Sequence, residues 1–377
     1  MSKRVMVSGF YGYNNTGDDL ILAGIIASLR RQIPGVEITV LSADPAQTAA
    51  RYGVTAVYAG RRLDGLGAIA QAIGRSDLFI LGGGGLLQDR ERRIVPYWLS
   101  RVGLARLLGK KVMFYAQGIG PLTTGLGKAL VRLVANRVDL ITVRDEESKQ
   151  LLREIGVIRP PVLVTADPAL CLERPPAGTG ERLLALAGAT AGDAPLVGFS
   201  LRPWPGIAER TAALAAAADA VVERLGARVV FIPLQAPGDT AVAADVRDAM
   251  ERREAAFVLA GQPEPMEIAA VLGQMKIVVG MRLHSLILAA GQGVPCVGII
   301  YDPKVANFAR RAGLGDYLCD FSRLAAGGLA ERVCALWEDY ETAVGRLGVA
   351  AAAMAEQAEE NALLAAGLLA EQRPNKR

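Results

Sequence analysis

The chain has 377 residues, a formal net charge of +4 and 51% hydrophobic residues, which indicates an ordered globular protein large enough for two domains. This small charge does not indicate a nucleic-acid-binding protein, although it suits an anionic substrate. The four widely spaced cysteines form no metal-ligand pattern and indicate reduced, buried thiols of a cytoplasmic protein. No apolar run approaches the ~20 residues that cross a bilayer, and the amino terminus lacks a signal-peptide pattern, so we expect a soluble or at most peripheral protein.

The amino-terminal segment predicts a strand over 4–9 and a helix from about residue 20 to 33, joined by the loop FYGYNNTGDD. Thr16, Asp18 and Asp19 can all cap that helix. The loop holds more glycine, polar and aromatic residues than a cap needs. We therefore expect a loop that binds a ligand through Asn14, Asn15 and Thr16. A simple capped connection remains the alternative. The loop lacks the lysine of a P-loop and the Gly-x-Gly-x-x-Gly spacing.

A run of four glycines, 82–85, follows the predicted strand 77–81. Consecutive glycines cost backbone entropy, so they indicate that the backbone approaches a substrate or another loop closely. We therefore take Gly84, Gly85 and Gln88 as binding candidates and Asp89 as a candidate acid. A tight strand-to-helix crossing would also explain the run.

Seven basic residues and one acidic residue lie between Arg90 and Lys111, with Tyr97 and Trp98 among them. A basic helix that carries aromatic residues can lie on an anionic membrane surface. A simple solvated helix face explains the same pattern, so peripheral contact with the inner face of the cell membrane stays open.

Three further strands, 111–116, 139–143 and 162–165, complete the first predicted sheet. Gln117 and Arg144 each follow one of these strands and become candidates for the same ligand-binding edge. With a further predicted strand at 37–42, the domain has six strands that alternate with helices. Such alternation, with polar loops after the strands, is typical of a doubly wound α/β domain. We expect this domain to span 1–178, with a linker at 179–195 that is rich in Gly, Ala and Thr.

A second α/β domain is predicted over 196–345, from strands near 196–201, 228–233, 256–259, 276–279 and 295–300. Arg202, Arg282, His284 and Lys304 each come just after one of these strands, and the carboxyl edge of a parallel sheet is where such folds bind ligands. His284 is the only histidine of the chain. A packed histidine beside a capping arginine is the simpler interpretation. Residues 346–377 predict a long helix that packs back across the domains.

Seven motifs now appear in one order: FYGYNNTGDD, LGGGGLLQD, YAQGIGP, TVRDEES, SLRPW, GMRLHSLILAA and IIYDPK. Together they resemble the polysaccharide pyruvyl transferase family, and in particular the CsaB-type bacterial enzymes that pyruvylate secondary cell-wall polymers. The resemblance implies two Rossmann-like domains facing each other across a cleft, as in GT-B glycosyltransferases. It also implies phosphoenolpyruvate as co-substrate, with no further cofactor and no metal, and a cyclic pyruvate ketal as product. The implied acceptor is a sugar such as N-acetylmannosamine on a polyprenyl-diphosphate-linked precursor.

The residues fit that chemistry when they are considered alone. A ligand with a carboxylate and a phosphate needs several cations, and Arg202, Arg282 and Lys304 can supply them. His284 is the natural donor of the proton that the enol methylene must take up. The resemblance places Arg282, Leu283, His284 and Lys304 at the donor site, and Arg144 is a further candidate. The first domain is the expected acceptor side, and its acceptor-binding candidates are Asn14, Asn15, Thr16, Gly84, Gly85, Gln88 and Gln117. The general base remains open among the first-domain acids Asp18, Asp19 and Asp89.

Two other functions remain open. A glycosyltransferase of the same fold would use a nucleotide sugar, but the acid that such enzymes commonly place late in the second domain is missing between Lys276 and Asp302. A non-catalytic carbohydrate-binding protein would not need three cations and the sole histidine at one edge. The sequence leaves the acceptor hydroxyls and homo-oligomer formation undetermined.

Overall fold

The computed structural model describes residues 2–60, 65–189, 192, 194–261 and 263–371. These residues divide into two compact units: the first contains the described residues up to 172 and from 354 onward, and the second contains those of 173–353. Three residues of the predicted linker (190, 191 and 193) and residues 372–377 of the predicted terminal helix lie outside the described part. Each unit is built on its own parallel β-sheet.

The first unit contains eight described strands: β1 (Arg4–Ser8), β2 (Glu37–Ser42), β3 (Thr55–Tyr58), β4 (Leu78–Leu81), β5 (Gly84–Leu87), β6 (Lys111–Ile119), β7 (Leu140–Val143) and β8 (Val162–Val164). Their order is β3-β2-β1-β4-β6-β7-β8, with β5 paired to β6 beyond the end of β4. The helices within this stretch are α1 (Thr16–Gln32), α2 (Pro45–Tyr52), α3 (Leu66–Arg75), α4 (Ile94–Leu107), α5 (Gly125–Ala135) and α6 (Glu146–Glu154).

Alternate residues of the first sheet face two separate hydrophobic layers. Met6 packs with α3, α4, α5 and α6 on one face, while Val5 and Val7 pack with α1 on the other. A strand with both faces covered is apolar throughout, which explains the continuous apolar runs in this part of the sequence.

The second unit contains β9 (Leu196–Ser200), β10 (Arg228–Phe231), β11 (Ala256–Val258), β12 (Ile277–Gly280), β13 (Cys296–Ile300) and β14 (Leu318–Asp320). Their order, β11-β10-β9-β12-β13-β14, is that of a doubly wound Rossmann sheet. The helices are α7 (Thr179–Leu186), α8 (Thr211–Leu225), α9 (Gly238–Asp248), α10 (Pro265–Leu272), α11 (Leu283–Gly291), α12 (Pro303–Arg311), α13 (Gly328–Glu338) and α14 (Tyr340–Ala370). The predicted fold class, two doubly wound α/β domains, is confirmed.

Two segments differ from the sequence expectation. The segment expected to be a linker contains α7, which packs on α10 so closely that a Cβ at Gly180 would lie 2.4 Å from the carbonyl oxygen of Ala270. The many small residues of this segment made the helix hard to predict from sequence. The buried side of α7 is formed by Gly180 and Leu184. The terminal helix α14 begins at Tyr340, and its residues from Met354 onward belong to the first unit. None of the described helices combines the length and apolar character needed to cross a membrane.

Candidate active site

The carboxyl ends of three neighbouring strands of the second unit carry the polar residues that the sequence pointed to. Arg202 follows β9, Arg282 and His284 follow β12, and Lys304 follows β13. Strand order reverses between β9 and β12, because the chain continues from β9 to β10 on one side and from β12 to β13 on the other. Such a reversal leaves a crevice at the carboxyl edge where doubly wound sheets bind ligands. The predicted location of these residues at that edge is confirmed.

Arg282 is held by two residues that follow β10. Its Nε lies 2.9 Å from Oδ2 of Asp239, its Nη2 lies 2.5 Å from Oδ1 of the same carboxylate, and Nη2 also contacts Gln235 Oε1 at 3.0 Å. The Asp239 side chain is completely buried and that of Arg282 is 12% exposed. The same carboxylate accepts hydrogen bonds from the backbone N–H groups of Leu234 and Gln235. The Asp239 carboxylate therefore fixes both the Arg282 guanidinium and the loop after β10.

Sequence reasoning missed Asp239 because it lies 43 residues before Arg282 in the chain. It begins an alanine-rich helix and shows no local motif, so its position in the first turn of α9 was the only available signal.

His284 lies in the first turn of α11, two residues after Arg282, which is the residue that precedes the helix. The side chain is half-buried and its Nε2 atom is shielded from solvent. Leu283, between them, is buried in the core. His284 can therefore present a titratable side chain to a ligand. Leu283 can contribute no more than its backbone N–H.

Arg202 and Lys304 converge on the ring of Tyr301. Arg202 Nη1 lies 3.2 Å from the Tyr301 hydroxyl, and its guanidinium lies 5.3 Å from the ring centroid, while Lys304 Nζ lies 5.6 Å from that centroid. Trp204 packs edge-on against the same ring at 4.6 Å. Lys304 Nζ is also 3.9 Å from Oδ2 of Asp302, whose Oδ1 caps α12. Two cations and two aromatic rings therefore form one cluster, which we call the Tyr301 cluster (Arg202, Trp204, Tyr301, Lys304).

The first unit places two predicted binding loops on either side of its own strand-order reversal, between β1 and β4. Asn14 is exposed, with a left-handed φ of 54°. The Asn15 side chain accepts a hydrogen bond from Gly17 N–H and so caps α1, which begins at Thr16 rather than near residue 20. The cap predicted for Thr16, Asp18 or Asp19 is therefore provided by Asn15.

Packing explains the first half of the glycine run. A Cβ at Gly82 would lie 2.1 Å from the hydroxyl oxygen of the buried Tyr11, and one at Gly83 would lie 3.0 Å from Ile21. Gly84 has a φ of 99°, whereas Gly85 is exposed and has nothing within 4 Å of a Cβ position. The close approach of the loop that carries Tyr11 thus explains why residue 82 is a glycine. Of the two glycines proposed to bind a ligand, Gly84 and Gly85, only Gly85 is open to solvent.

Two predicted acceptor residues stabilise loops. The Gln117 side chain is completely buried and donates hydrogen bonds to the carbonyl oxygens of Leu81 and Gly82. Gln88 Oε1 accepts a hydrogen bond from the backbone N–H of Arg90. These contacts hold the loops in shape, and direct acceptor contact by either residue stays a prediction.

Asp89 is a buried anchor for the start of α5. Its carboxylate accepts hydrogen bonds from the backbone N–H and the hydroxyl of both Thr123 and Thr124. Burial works to raise the pKa of Asp89, but these hydrogen bonds outweigh it and lower the pKa to about 2. A carboxylate with such a low pKa and with four donors around it is a weak general base.

The other first-unit candidates differ in their surroundings. Asp18 is half-buried, and its Oδ1 would lie 3.2 Å from a Cβ at Gly84, so it borders the glycine run. Arg144 is buried, with Nη1 2.8 Å from Asp167 Oδ2 and with its guanidinium packed against Gly118. That ion pair gives Arg144 a role in the fold of the first unit, and its contact with phosphoenolpyruvate stays a prediction. Within the described ranges, no three His, Cys, Asp or Glu side chains are grouped to hold a metal ion.

Solved structures of other proteins share this fold. The chain superposes on MnaA of S. aureus, solved with UDP, with a TM-score of 0.67 over 100% of both chains at 10% identity. HepE of Anabaena, solved with UDP and glucose, gives a TM-score of 0.64 over 97% of this chain and 99% of that one, at 12% identity. At such low identity the likeness defines a fold class, a pair of parallel-sheet α/β domains.

The sequence itself gives the family. Residues 15–303 match the polysaccharide pyruvyl transferase family, and the chain belongs to that family. A curated relative is the amylovoran biosynthesis protein AmsJ of Erwinia amylovora, 24% identical over 253 residues. The match covers 63% of this chain and 61% of AmsJ, so the chain spans about three fifths of the length of that relative. The family expected from the seven motifs is confirmed, and the narrower CsaB type stays a prediction.

Proposed function

We propose that this protein is a transferase that moves the enolpyruvyl carbons of phosphoenolpyruvate to two hydroxyls of one sugar, forming a cyclic ketal and releasing phosphate. The observation that carries the proposal is the set of Arg202, Arg282, His284 and Lys304 at the carboxyl ends of neighbouring strands of the second unit. Family membership supports the same reaction class. The acceptor proposed from the CsaB-type resemblance is N-acetylmannosamine of a lipid-linked precursor.

The cations are proposed to bind the two acidic groups of the donor. Arg282 contacts Asp239 and Gln235 through its Nε and Nη2 atoms. We assign its Nη1 atom to the donor anion. The planar guanidinium is well suited to a carboxylate or phosphate, while Lys304 supplies a point charge. Because Asp239 already balances one positive charge, the Tyr301 cluster has to provide most of the net attraction for a trianionic ligand.

In the proposed reaction, His284 gives its proton to the methylene carbon of the donor, which becomes a methyl group. The first sugar hydroxyl adds to the adjacent carbon and loses its proton to a base. The carbon–oxygen bond to phosphate then breaks, and the second hydroxyl takes the place of the phosphate. The base passes the first hydroxyl proton to the departing phosphate, which leaves as hydrogen phosphate, and the second hydroxyl proton restores His284. We propose Asp18 rather than Asp89 as the base, because the four hydrogen bonds and the pKa of about 2 make Asp89 a poor proton acceptor.

The direct test is to incubate the protein with phosphoenolpyruvate and candidate lipid-linked sugars and to measure phosphate release together with ketal formation. His284→Ala should lower turnover by about 10²–10⁴-fold, the usual contribution of general acid catalysis. His284→Gln should not restore it, because an amide can accept and donate hydrogen bonds but cannot deliver a proton. Activity of the wild-type complex should fall as pH rises through a single ionisation, because the acid must be protonated.

Three results would contradict the proposal. Full activity of His284→Gln would mean that the imidazole only orients the phosphate. Absence of phosphate release with every acceptor would argue against the donor. Consumption of a nucleotide sugar without phosphoenolpyruvate would favour the glycosyltransferase alternative.

A further inference from the structure

The layer formed by α4 and α5 exposes basic residues. Arg92 and Arg93 stand at the amino end of α4, Lys128 and Arg132 lie on α5, and all four are exposed. Neither helix contains an acidic residue, and the exposed acid beside them is Glu91. Such a basic surface is attracted to an extended anionic surface.

The basic layer also exposes leucines. Leu107 at the end of α4 is 83% exposed, and Leu126 and Leu133 on α5 are more than half exposed. Both helices pack against the same face of the sheet through residues such as Val102 and Val131. The exposed leucines therefore stand on the outer side of a layer whose inner side forms the core. A soluble partner with an acidic patch would need the arginines but not three exposed leucines.

Basic side chains combined with exposed leucines fit one kind of partner best. The surface of an anionic bilayer offers phosphate groups at the level where lysine and arginine reach and acyl chains just below, where leucine can be buried. Nucleic acid would give the leucines nothing apolar to contact. We propose that the outer face of α4 and α5, which we call the α4–α5 face, docks on a membrane surface rich in anionic lipid.

The docking is measurable without any donor or acceptor, so its outcome is separate from that of the transfer reaction. The full chain is sedimented at low salt with vesicles of phosphatidylcholine alone or of phosphatidylcholine and phosphatidylglycerol in equal amounts. Wild type should bind the mixed vesicles at least about tenfold better than the neutral ones. Added salt should weaken this binding, since the attraction acts between exposed charges.

Two surface variants test the α4–α5 face, each with a matched control on the second unit. Arg92→Glu with Arg93→Glu should lower binding to the mixed vesicles by at least about 25-fold, because each of the two basic residues contributes about fivefold near an anionic surface. Arg174→Glu with Arg253→Glu makes the same change of net charge at exposed positions and should stay within about twofold of wild type. Leu107→Gln should lower binding severalfold, whereas Leu186→Gln, at a leucine that is 76% exposed, should not.

Equal binding of wild type to both kinds of vesicle would overturn the proposal. So would equal losses in the surface variants and their controls, since binding would then follow net charge rather than this face. Unchanged binding of Leu107→Gln would remove the bilayer as the partner and leave only an anionic surface without an apolar layer.

Discussion

Arg282 shows how a residue proposed to bind a ligand can also stabilise the fold. Its guanidinium balances the buried Asp239 carboxylate, which also holds two backbone N–H groups of the loop after β10. The sequence gives no reason to treat Arg282 and Lys304 differently, because both are cations that follow a predicted strand. The structure separates them, because the Lys304 side chain is 35% exposed and contacts a carboxylate only at 3.9 Å.

Arg282→Ala should therefore lower both donor affinity and stability, whereas Lys304→Ala should lower donor affinity alone. Each lost charge-assisted contact should cost roughly 1.5–3 kcal/mol of phosphoenolpyruvate binding. The arginine variant should also lose about 3 kcal/mol of unfolding free energy, because a buried carboxylate is left without its partner. Isothermal titration and chemical denaturation measure the two quantities.

The double variant Arg282→Ala with Asp239→Ala is the control. It should recover part of the lost stability without recovering donor affinity, because no buried charge is then left unpaired. If Arg282→Ala were as stable as wild type, the ion pair with Asp239 would have no structural role.

Sequence reasoning reached the candidate residues of the second unit but not their partners. The cations and His284 follow apolar strands directly, and strand ends can be located from the hydrophobic pattern. Asp239 and Gln235 belong to another strand-to-helix connection, and only strand order brings them beside Arg282. Pairings across a sheet leave no trace in local sequence, so one sequence considered by itself could not reveal them.

The glycine run 82–85 leads from β4 into β5. Two different structural constraints act along it. Gly82 makes room for the Tyr11 hydroxyl, while Gly85 is open to solvent. A run of one residue type suggests one shared reason, and the sequence could not show that the reasons differ along the run. The strands β3, β5 and β14 were also missed. No residue of β3 is fully buried and β5 begins with two glycines, so neither shows the apolar run of a core strand.

Gly82→Ala should destabilise the first unit, because its Cβ would lie 2.1 Å from the Tyr11 oxygen and either the ring or the strand must shift. We expect a loss of about 1–3 kcal/mol, the usual cost of overpacking a core. Gly85→Ala has room for its methyl group and serves as the matched control. Thermal unfolding of both variants measures the difference.

Adding Tyr11→Phe to Gly82→Ala removes the atom that the methyl group meets and should return part of the stability. Similar unfolding temperatures for the Gly82 and Gly85 variants would show that the run is not held by this packing, and a substrate would again be the better explanation.

At the scale of the whole molecule, the first unit is made from two separate parts of the chain. Asn361 on α14 is completely buried. Its Oδ1 accepts hydrogen bonds from the hydroxyls of Thr142 at 2.5 Å and Thr165 at 2.9 Å, and its Nδ2 donates to the carbonyl oxygen of Ala166 at 3.3 Å. The predicted long terminal helix is present, but its attachment through a buried asparagine could not be read from an alanine-rich sequence.

Asn361→Ala should loosen the first unit and leave the second unchanged, because β7 and the end of β8 lose the amide that pairs their threonines. Leaving buried polar groups unpaired should cost about 1–3 kcal/mol. Amide hydrogen exchange should show faster exchange in β6, β7 and β8 and unchanged exchange in β9, β12 and β13. The neighbouring exposed residue offers a control, Glu360→Ala, with no expected effect. Equal acceleration in both sheets would contradict the assignment of this helix to the first unit.

The split of the first unit also has a consequence for synthesis. A ribosome makes residues 173–353 as one continuous piece, so the second unit has all its strands and helices as soon as that piece has emerged. The first unit begins earlier but is completed later, because Asn361 and the alanines that cover its sheet are translated only after the second unit. Until then, the face of the nascent sheet that contains Val5 and Val7 lacks part of its apolar cover, and this interval is when a chaperone would be needed most.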